Sequence, residues 1–325
     1  MSRIHEALKK AEQERSTAPS QASVSFPTVD AQGSGPRSPE PAAAASSPEA
    51  VASNVTRYHD SPLTPPSILA PAPAFIRFED LKARCSHPEW HLDPNTSVFG
   101  DPTLSKQGAE QFRTLRSRLH QARGNQKLKT LLVTSSVPGE GKTFVTINLA
   151  HAIVRQPDKR ALIIDADLRR PRVHTVLGAP NAPGLTDYLR GDADEMAVMQ
   201  HGPEGDLCMI PGGNEVTNPS ELLSNGRLSA LLDRLSPLFD WIILDSPPCL
   251  PVADASILAG MCDGVLLVVK AGSTPGAMAQ RARQELQTRN VVGVVLNAIG
   301  EAHMHNSAYY DAYSDGYGAL KAPTS

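Results

Sequence analysis

One stretch decides the fold of this chain: Ser135-Ser136-Val137-Pro138-Gly139-Glu140-Gly141-Lys142-Thr143. It follows the apolar run Leu131–Val133, which predicts a buried strand, and precedes apolar residues at helical spacing from Val145 to Ile153. A glycine-rich loop between a strand and a helix is the context of a Walker A motif. The stretch departs from the pattern G-x-x-x-x-G-K-[ST] at one position, because Ser136 stands where the first glycine is expected.

Such a loop binds phosphate, because its backbone N–H groups wrap the phosphate oxygens and its lysine adds a full positive charge. Nucleotide hydrolysis or phosphoryl transfer is therefore the first functional hypothesis, and an ordinary Gly-Pro turn before a helix is the alternative. The residues expected around a nucleotide are Pro138, Gly139, Glu140, Gly141, Lys142, Thr143 and Phe144.

Composition sets limits on the remaining possibilities. The 325 residues are 40% hydrophobic, enough for one sizeable core, and the net charge of −3 gives no electrostatic case for nucleic-acid binding. The 4 cysteines show no C-x-x-C spacing, which favours neither a zinc site nor a disulfide framework. No apolar run approaches the roughly 18 residues of a membrane-spanning helix. We therefore expect a cytoplasmic protein that reaches a membrane only through a partner.

The N-terminal third differs in composition from the rest. Residues 1–15 carry Ile4, Leu8 and Ala11 at helical spacing and predict a short amphipathic helix, either a docking element or a frayed terminus. Proline, alanine and serine dominate 16–74, which predicts a disordered tether. The segment 75–103 has apolar residues that could pack on a core, and we treat it as a connecting segment.

From 104 to 300 the pattern alternates between strands and helices. Strands are predicted at 130–134, 161–165, 207–210, 241–245, 264–269 and 291–296. Several are unbroken Ile, Leu and Val runs, which suit strands covered on both faces. The pattern predicts a doubly wound α/β domain of the P-loop NTPase type, with a mostly parallel sheet and a ligand crevice at the carboxyl ends of its strands.

Two of the predicted strands end in aspartates. One leads into Asp165-Ala166-Asp167-Leu168-Arg169, where strand geometry would direct both carboxylates to the same side. The other leads into Asp245-Ser246-Pro247-Pro248, which resembles a Walker B motif. Alone, such aspartates are often helix caps or turn formers. Beside a phosphate-binding loop they favour a Mg²⁺ site instead.

The P-loop, the Asp-x-Asp pair followed by Leu-Arg, and the Asp-Ser-Pro-Pro strand end together resemble the bacterial tyrosine kinases (BY-kinases), P-loop enzymes unrelated to eukaryotic protein kinases. Shorter segments also look like family segments in the family's order: 184–189, 218–223, 263–269 and 292–297. The resemblance covers about 104–300. It implies an ATP- and Mg²⁺-dependent protein-tyrosine kinase.

The resemblance also implies roles for single residues. Lys142 would contact the β- and γ-phosphates, and one of Asp165 or Asp167 would assist the attacking hydroxyl. Arg169 would neutralise charge on the transferred group, or else is a surface arginine paired with Asp167. The metal would be positioned by Thr143, Asp165, Asp167 and Asp245.

A tyrosine cluster marks the predicted flexible tail, 301–325. Four of the chain's 6 tyrosines lie there: Tyr309, Tyr310, Tyr313 and Tyr317. A flexible tail dense in one nucleophile suits self-phosphorylation, and a C-terminal tyrosine cluster is a feature of the resembled family. The alternative is a low-complexity aromatic tail or a packing strap.

Glu110, Arg113 and Arg116 fall on one face of a predicted helix within 107–119. In the resembled family this E-x-x-R-x-x-R pattern joins subunits in a ring, so that one subunit's tail can enter its neighbour's active site. The alternative is a ladder of salt bridges within the helix.

The main rival is a MinD/ParA-type ATPase that acts as a positioning or assembly switch. Such proteins carry a signature lysine where this chain has Val137, and they have no use for a tyrosine cluster. A nucleotide-binding adaptor without catalysis is disfavoured by the intact motif residues. The family resemblance further implies control of exopolysaccharide or capsule synthesis and export. It implies two partners, a membrane protein that modulates chain length or export and a phosphotyrosine phosphatase.

Overall fold

The computed structural model describes residues 77–94, 96–99, 106–124 and 126–299. Its strands are β1 (Thr130–Ser135), β2 (Arg160–Asp165), β3 (Gln200–His201), β4 (Asp206–Ile210), β5 (Trp241–Asp245), β6 (Gly264–Lys270) and β7 (Val291–Asn297). Its helices are α1 (Phe78–Arg84), α2 (Lys106–Arg123), α3 (Lys142–Val154), α4 (Val173–Leu177), α5 (Leu185–Arg190), α6 (Glu195–Val198), α7 (Pro219–Ser224), α8 (Arg227–Leu235), α9 (Asp254–Ala259) and α10 (Gly276–Glu285).

The strands form one sheet in the order β3-β4-β2-β5-β1-β6-β7. All neighbouring strands are parallel except the pair β3 and β4. The predicted doubly wound, mostly parallel α/β fold is confirmed, and each predicted strand matches an observed one to within one residue at each end. The sequence did not indicate β3, because two residues are too few to show a periodicity.

Side chains of the central strands alternate between two buried clusters, one on each face of the sheet. In β2, Leu162 and Ile164 belong to the cluster that includes side chains of α1, α5, α8 and α9. Ala161 and Ile163 belong to the other, which includes side chains of α2, α3 and α4. Burial on both faces explains why these strands are continuous apolar runs, and it leaves the carboxyl edge of the sheet as the place for polar chemistry.

Part of the segment predicted to be a connector packs into this core. Phe78, Leu81 and Trp90 are buried, and the Phe78 ring meets Phe239 edge to face at 5.5 Å between centroids. This half of the 75–103 segment therefore belongs to the folded domain. The predicted N-terminal helix (1–15), the tether (16–74) and the tail with its four tyrosines lie outside the described residues and stay predictions.

Among the helices that the structure describes, none combines the length and the hydrophobicity that crossing a bilayer requires.

Candidate active site

The phosphate-binding loop connects the end of β1 to the start of α3. Gly139 and Gly141 have positive φ angles, 83° and 92°, in a region that other residues rarely adopt. The Val137 N–H donates to the Glu140 carboxylate at 2.7 Å, and the Ser135 hydroxyl donates to the Val137 carbonyl at 2.9 Å. Side chains of the loop therefore form hydrogen bonds with part of the loop's own backbone, and the chain turns sharply at the glycines.

The N–H groups from Gly139 to Thr143 have no hydrogen-bond acceptor among the described residues. They lie in the loop and in the first turn of α3, where a helix presents partial positive charge. The largely buried Lys142 adds a full charge nearby. Unpaired amide donors next to an ammonium group make a cradle for an anion, which fits the phosphates of a nucleotide.

Two buried carboxylates stand side by side at the ends of neighbouring strands. Asp165 ends β2 and Asp245 ends β5, and the two residues are direct partners in the parallel register. Burial and the charge of Asp245 raise the pKa of Asp165 well above its ordinary value. Burial also raises the pKa of Asp245 to about 6, against the opposing effects of Lys142 and the Thr143 hydroxyl. Two like charges in a dry site favour a bound cation.

The two carboxylates differ in their partners. Asp165 accepts hydrogen bonds from the backbone N–H groups of Arg172 and Val173, both at 2.9 Å, so it anchors the chain before α4. Asp245 accepts from the Thr143 hydroxyl at 2.6 Å and from the Thr146 hydroxyl at 3.3 Å.

The Thr143 hydroxyl and the Asp245 carboxylate are thus adjacent and offer two oxygen ligands to a cation. Among the described residues, no group of three or more His, Cys, Asp or Glu side chains is arranged to hold a metal ion. Mg²⁺ needs no such cage, because it keeps several waters and shares the phosphate oxygens of its nucleotide. One hydroxyl and one carboxylate beside the phosphate cradle therefore fit Mg²⁺.

Asp167 is the more accessible of the Asp-x-Asp pair. Its side chain is half-buried, and one of its oxygens accepts from the Arg170 N–H at 3.1 Å. Burial raises the pKa of Asp167, and the Lys142 ammonium opposes that rise. A carboxylate with a raised pKa that remains within reach of solvent is suited to accept a proton.

Arg169 pairs with Asp254 and not with Asp167, the partner that the sequence offered as an alternative. Its Nε donates to Asp254 Oδ2 at 2.7 Å, and its Nη2 donates to Asp254 Oδ1 and to the Ser220 hydroxyl, both at 3.1 Å. Asp254 is fully buried, whereas the Arg169 side chain is 40% exposed. Burial raises the pKa of Asp254, but Arg169 and Ser220 more than offset that rise and hold it below its ordinary value.

The Phe144 side chain packs against α2. Its ring meets that of Phe112 on α2, with centroids 5.7 Å apart. The Phe144 ring is therefore engaged with α2, and its role in nucleotide binding stays a prediction.

The three residues of the E-x-x-R-x-x-R pattern serve two different purposes in α2. Glu110 and Arg113 form an exposed ion pair within the helix. Arg116 is half-buried and donates to the carbonyl of Ala152 near the end of α3. Arg116 thus joins α2 to α3, while Glu110 and Arg113 stay on the surface, where the predicted subunit contact needs them.

Comparison with known proteins places the chain in a family, although no protein-family model matches it. The chain is 35% identical over 204 residues to the tyrosine-protein kinase YwqD of Bacillus subtilis (strain 168), and the match covers 62% of this chain and 86% of YwqD. The chain belongs to the bacterial tyrosine kinase family. The matched part is a protein-tyrosine kinase domain, which favours the kinase over the MinD/ParA alternative.

Longer members of the family also match. The chain is 33% identical over 216 residues to the tyrosine-protein kinase Etk of Escherichia coli K12 (66% of this chain), and it spans 30% of the length of Etk. The solved kinase domain of Etk is 34% identical, with a TM-score of 0.59, over 62% of this chain and 80% of that domain. The BceF tyrosine kinase domain is 28% identical, with a TM-score of 0.57, over 67% of this chain and 93% of that domain.

Sequence reasoning did not single out four residues at the site. Asp254 and Ser220 hold Arg169, while Thr274 and Asn297 hold Glu140. Asp254 begins α9, where an acidic residue looks like any helix-terminal carboxylate. Ser220 and Asn297 fall in segments that resembled the family, which was the only indication that they matter.

The raised pKa of Asp245 predicts how the stability of the ligand-free protein depends on pH. Because this pKa is about 6 in the folded protein and 3.8 ordinarily, the folded state binds the proton more tightly. The contribution of Asp245 to stability is therefore largest below pH 4 and is lost as the pH rises to about 6. Asp245→Asn should raise the unfolding free energy at pH 7.5 by roughly 1–3 kcal/mol and by less at pH 5.

Urea unfolding at both pH values measures this effect. Asp233→Asn, at an exposed position of α8, is the control and should change little. An equal rise in the unfolding free energy of Asp245→Asn at both pH values, or a fall at pH 7.5 alone, would contradict the assignment of a buried charge to Asp245.

Proposed function

We propose that this chain is an ATP-dependent tyrosine autokinase that phosphorylates its own C-terminal cluster: Tyr309, Tyr310, Tyr313 and Tyr317. One observation carries the proposal: in a tyrosine kinase fold, a cradle of unpaired amides lies beside the contact between Thr143 and Asp245. The cluster follows the described domain by only ten residues, since the structure's last described residue is 299.

The proposed cofactors are ATP and Mg²⁺. Lys142 and the amides of Gly139 to Thr143 would bind the phosphates, and Phe144 would contribute only its backbone. Thr143 and Asp245 would hold Mg²⁺, with Asp165 adding charge from the next strand. When bound, Mg²⁺ neutralises charge on the phosphate oxygens.

We propose Asp167 as the group that assists the tyrosine hydroxyl. A tyrosine hydroxyl has a pKa near 10 and arrives protonated, so a carboxylate that accepts its proton helps the attack. Asp165 is fully buried, and its Oδ2 already accepts two backbone hydrogen bonds. Asp167 is half-buried, and burial raises its pKa. Arg169, held by Asp254, would stabilise charge on the transferred group.

Substitution of the P-loop lysine tests the activity. The purified protein, the Lys142→Ala variant and the Lys127→Ala variant are each incubated with Mg-ATP, and phosphate is mapped by mass spectrometry. Lys127 is 82% exposed and precedes β1, so it lies at the opposite end of that strand from the loop and its loss should change nothing. We expect phosphotyrosine in the tail of the wild type and the control, and a loss of at least about 100-fold in Lys142→Ala, as for other single catalytic contacts to charge.

ATP hydrolysis by the wild type without any phosphotyrosine would instead favour the MinD/ParA-type ATPase. No hydrolysis and no transfer, with nucleotide still bound, would favour the adaptor.

We propose that phosphorylation occurs between subunits of a ring-shaped homo-oligomer that uses the surface of α2. Glu110 and Arg113 are exposed there, whereas Arg116 is partly committed to α3. Each phosphotyrosine adds about −1.5 to −2 charges, which would weaken the assembly as the tail becomes modified.

Reversal of one exposed charge tests this assembly. Arg113→Glu should lower the oligomer mass measured by native mass spectrometry, whereas Arg118→Glu, also exposed on α2, should not. Mixed with the wild type and Mg-ATP, Lys142→Ala chains should acquire tail phosphate, and Arg113→Glu in both chains should abolish that transfer. Unphosphorylated Lys142→Ala chains in the mixture, or an oligomer mass unchanged by full phosphorylation, would count against this arrangement.

We further propose that the kinase regulates exopolysaccharide or capsule synthesis and export from the cytoplasmic face of the membrane. A membrane protein that modulates polysaccharide chain length or export would recruit it, and a phosphotyrosine phosphatase would reset it. The family resemblance supports these partners, and the amphipathic pattern of residues 1–15 offers a docking element.

Deletion of residues 1–15 tests the recruitment. The fraction of the protein recovered with membranes should fall, while its affinity for ATP stays the same. Full recovery with membranes, or a loss of ATP binding, would overturn this division of roles.

A further inference from the structure

Glu140 lies inside the phosphate-binding loop but is tied to elements outside it. Its side chain is 1% exposed. One carboxylate oxygen accepts from the Val137 N–H of the same loop at 2.7 Å. The other accepts from the Thr274 hydroxyl, in the turn between β6 and α10. The Glu140 side chain therefore ties the loop to the segment after β6, the strand next to β1 in the sheet.

The backbone of the same residue is held by β7. Asn297 is the last residue of that strand, and its Nδ2 donates to the Glu140 carbonyl at 2.9 Å. The amide nitrogen of Asn297 is the atom that fits here, since a carbonyl can only accept. A carbon atom added to Gly141 would overlap that nitrogen, so glycine at 141 gives Asn297 access to the loop.

This hydrogen bond fixes the direction of one peptide group. In a planar trans peptide the N–H points opposite to the C=O. With the Glu140 carbonyl turned to Asn297, the N–H of Gly141 must point away from Asn297. That N–H is one of the loop amides with no acceptor among the described residues.

We propose that Asn297 is a positioning residue for phosphate binding: by holding the Glu140 carbonyl, it turns the Gly141 N–H toward the bound phosphate. This inference rests on the proposed function of the loop as a nucleotide site. In that role Asn297 acts through the backbone and touches neither the base nor the ribose.

The test replaces Asn297 by two residues that cannot donate this hydrogen bond, one of them isosteric with asparagine. Asn297→Asp removes the hydrogen bond and sets a carboxylate against the Glu140 carbonyl, and Asn297→Ala removes the bond alone. The matched control is Asn290→Asp at the other end of β7, where Asn290 Nδ2 donates to the Asp263 carbonyl at 2.8 Å. Calorimetry measures the affinity of each variant for Mg-ATP and for Mg-tripolyphosphate, which has no base and no ribose.

We expect Asn297→Asp to weaken both ligands by about tenfold, as the loss of one hydrogen bond with an unfavourable contact implies. Asn297→Ala should weaken both by a smaller and equal factor. Asn290→Asp should leave both affinities within about twofold. Thermal unfolding of the ligand-free variants separates this effect from simple misfolding, because Asn297→Ala should unfold as cooperatively as the control.

Weaker binding of ATP with unchanged binding of tripolyphosphate would overturn the proposal, because Asn297 would then contact the nucleoside. Unchanged affinity for both ligands in both variants would overturn it as well. If the wild type binds neither ligand, it is the proposed nucleotide site that fails, and the Asn297 result does not enter.

Discussion

The buried carboxylates of Asp165 and Asp245 are the constraint around which this domain is arranged. They are register partners on neighbouring strands, and hydrophobic clusters cover both faces of the sheet that carries them. Two negative charges so close in a dry environment cannot both be stable unless positive charge is near. Lys142 supplies a part of that charge. The site is therefore prepared for a cation before any ligand arrives, at a cost to the stability of the ligand-free protein.

The phosphate-binding loop has the opposite electrostatic preference to the two carboxylates. Its unpaired amides and the start of α3 attract anions, whereas the carboxylates of Asp165 and Asp245 attract cations. Each half of the site would repel the other half's ligand unless phosphate and metal bind together. Thr143 lies at the meeting point, because its hydroxyl belongs to the loop side and donates to Asp245. Binding of a nucleotide with its metal would thus complete both halves of the site at once. This coupling explains why the carboxyl ends of β1, β2 and β5 must stay in register.

The sequence indicated those strands, helices and loops whose pattern lies within a short stretch of residues. Unbroken runs such as Val265–Val269 predicted the central strands, and the strand ends predicted Asp165 and Asp245 as members of one metal site; the structure shows them to be register partners. Contacts between distant segments had no comparable signal. Arg169 meets Asp254 across 85 positions, and Asn297 meets Glu140 across 157. Such pairs depend on how the loops close over the finished sheet, which neither periodicity nor spacing encodes.

The pairing of Arg169 limits how that arginine can take part in phosphoryl transfer. Asp254 is fully buried, and a buried carboxylate that loses its cation is costly, so Arg169 cannot leave it freely. The pair uses the Nε and Nη2 atoms, while no described residue accepts a hydrogen bond from Nη1. A guanidinium that is fixed on one side and open on the other can stabilise developing charge without reorganising. Arg169 is therefore better understood as a group held in place by Asp254 and Ser220 than as an arginine that swings in during the reaction.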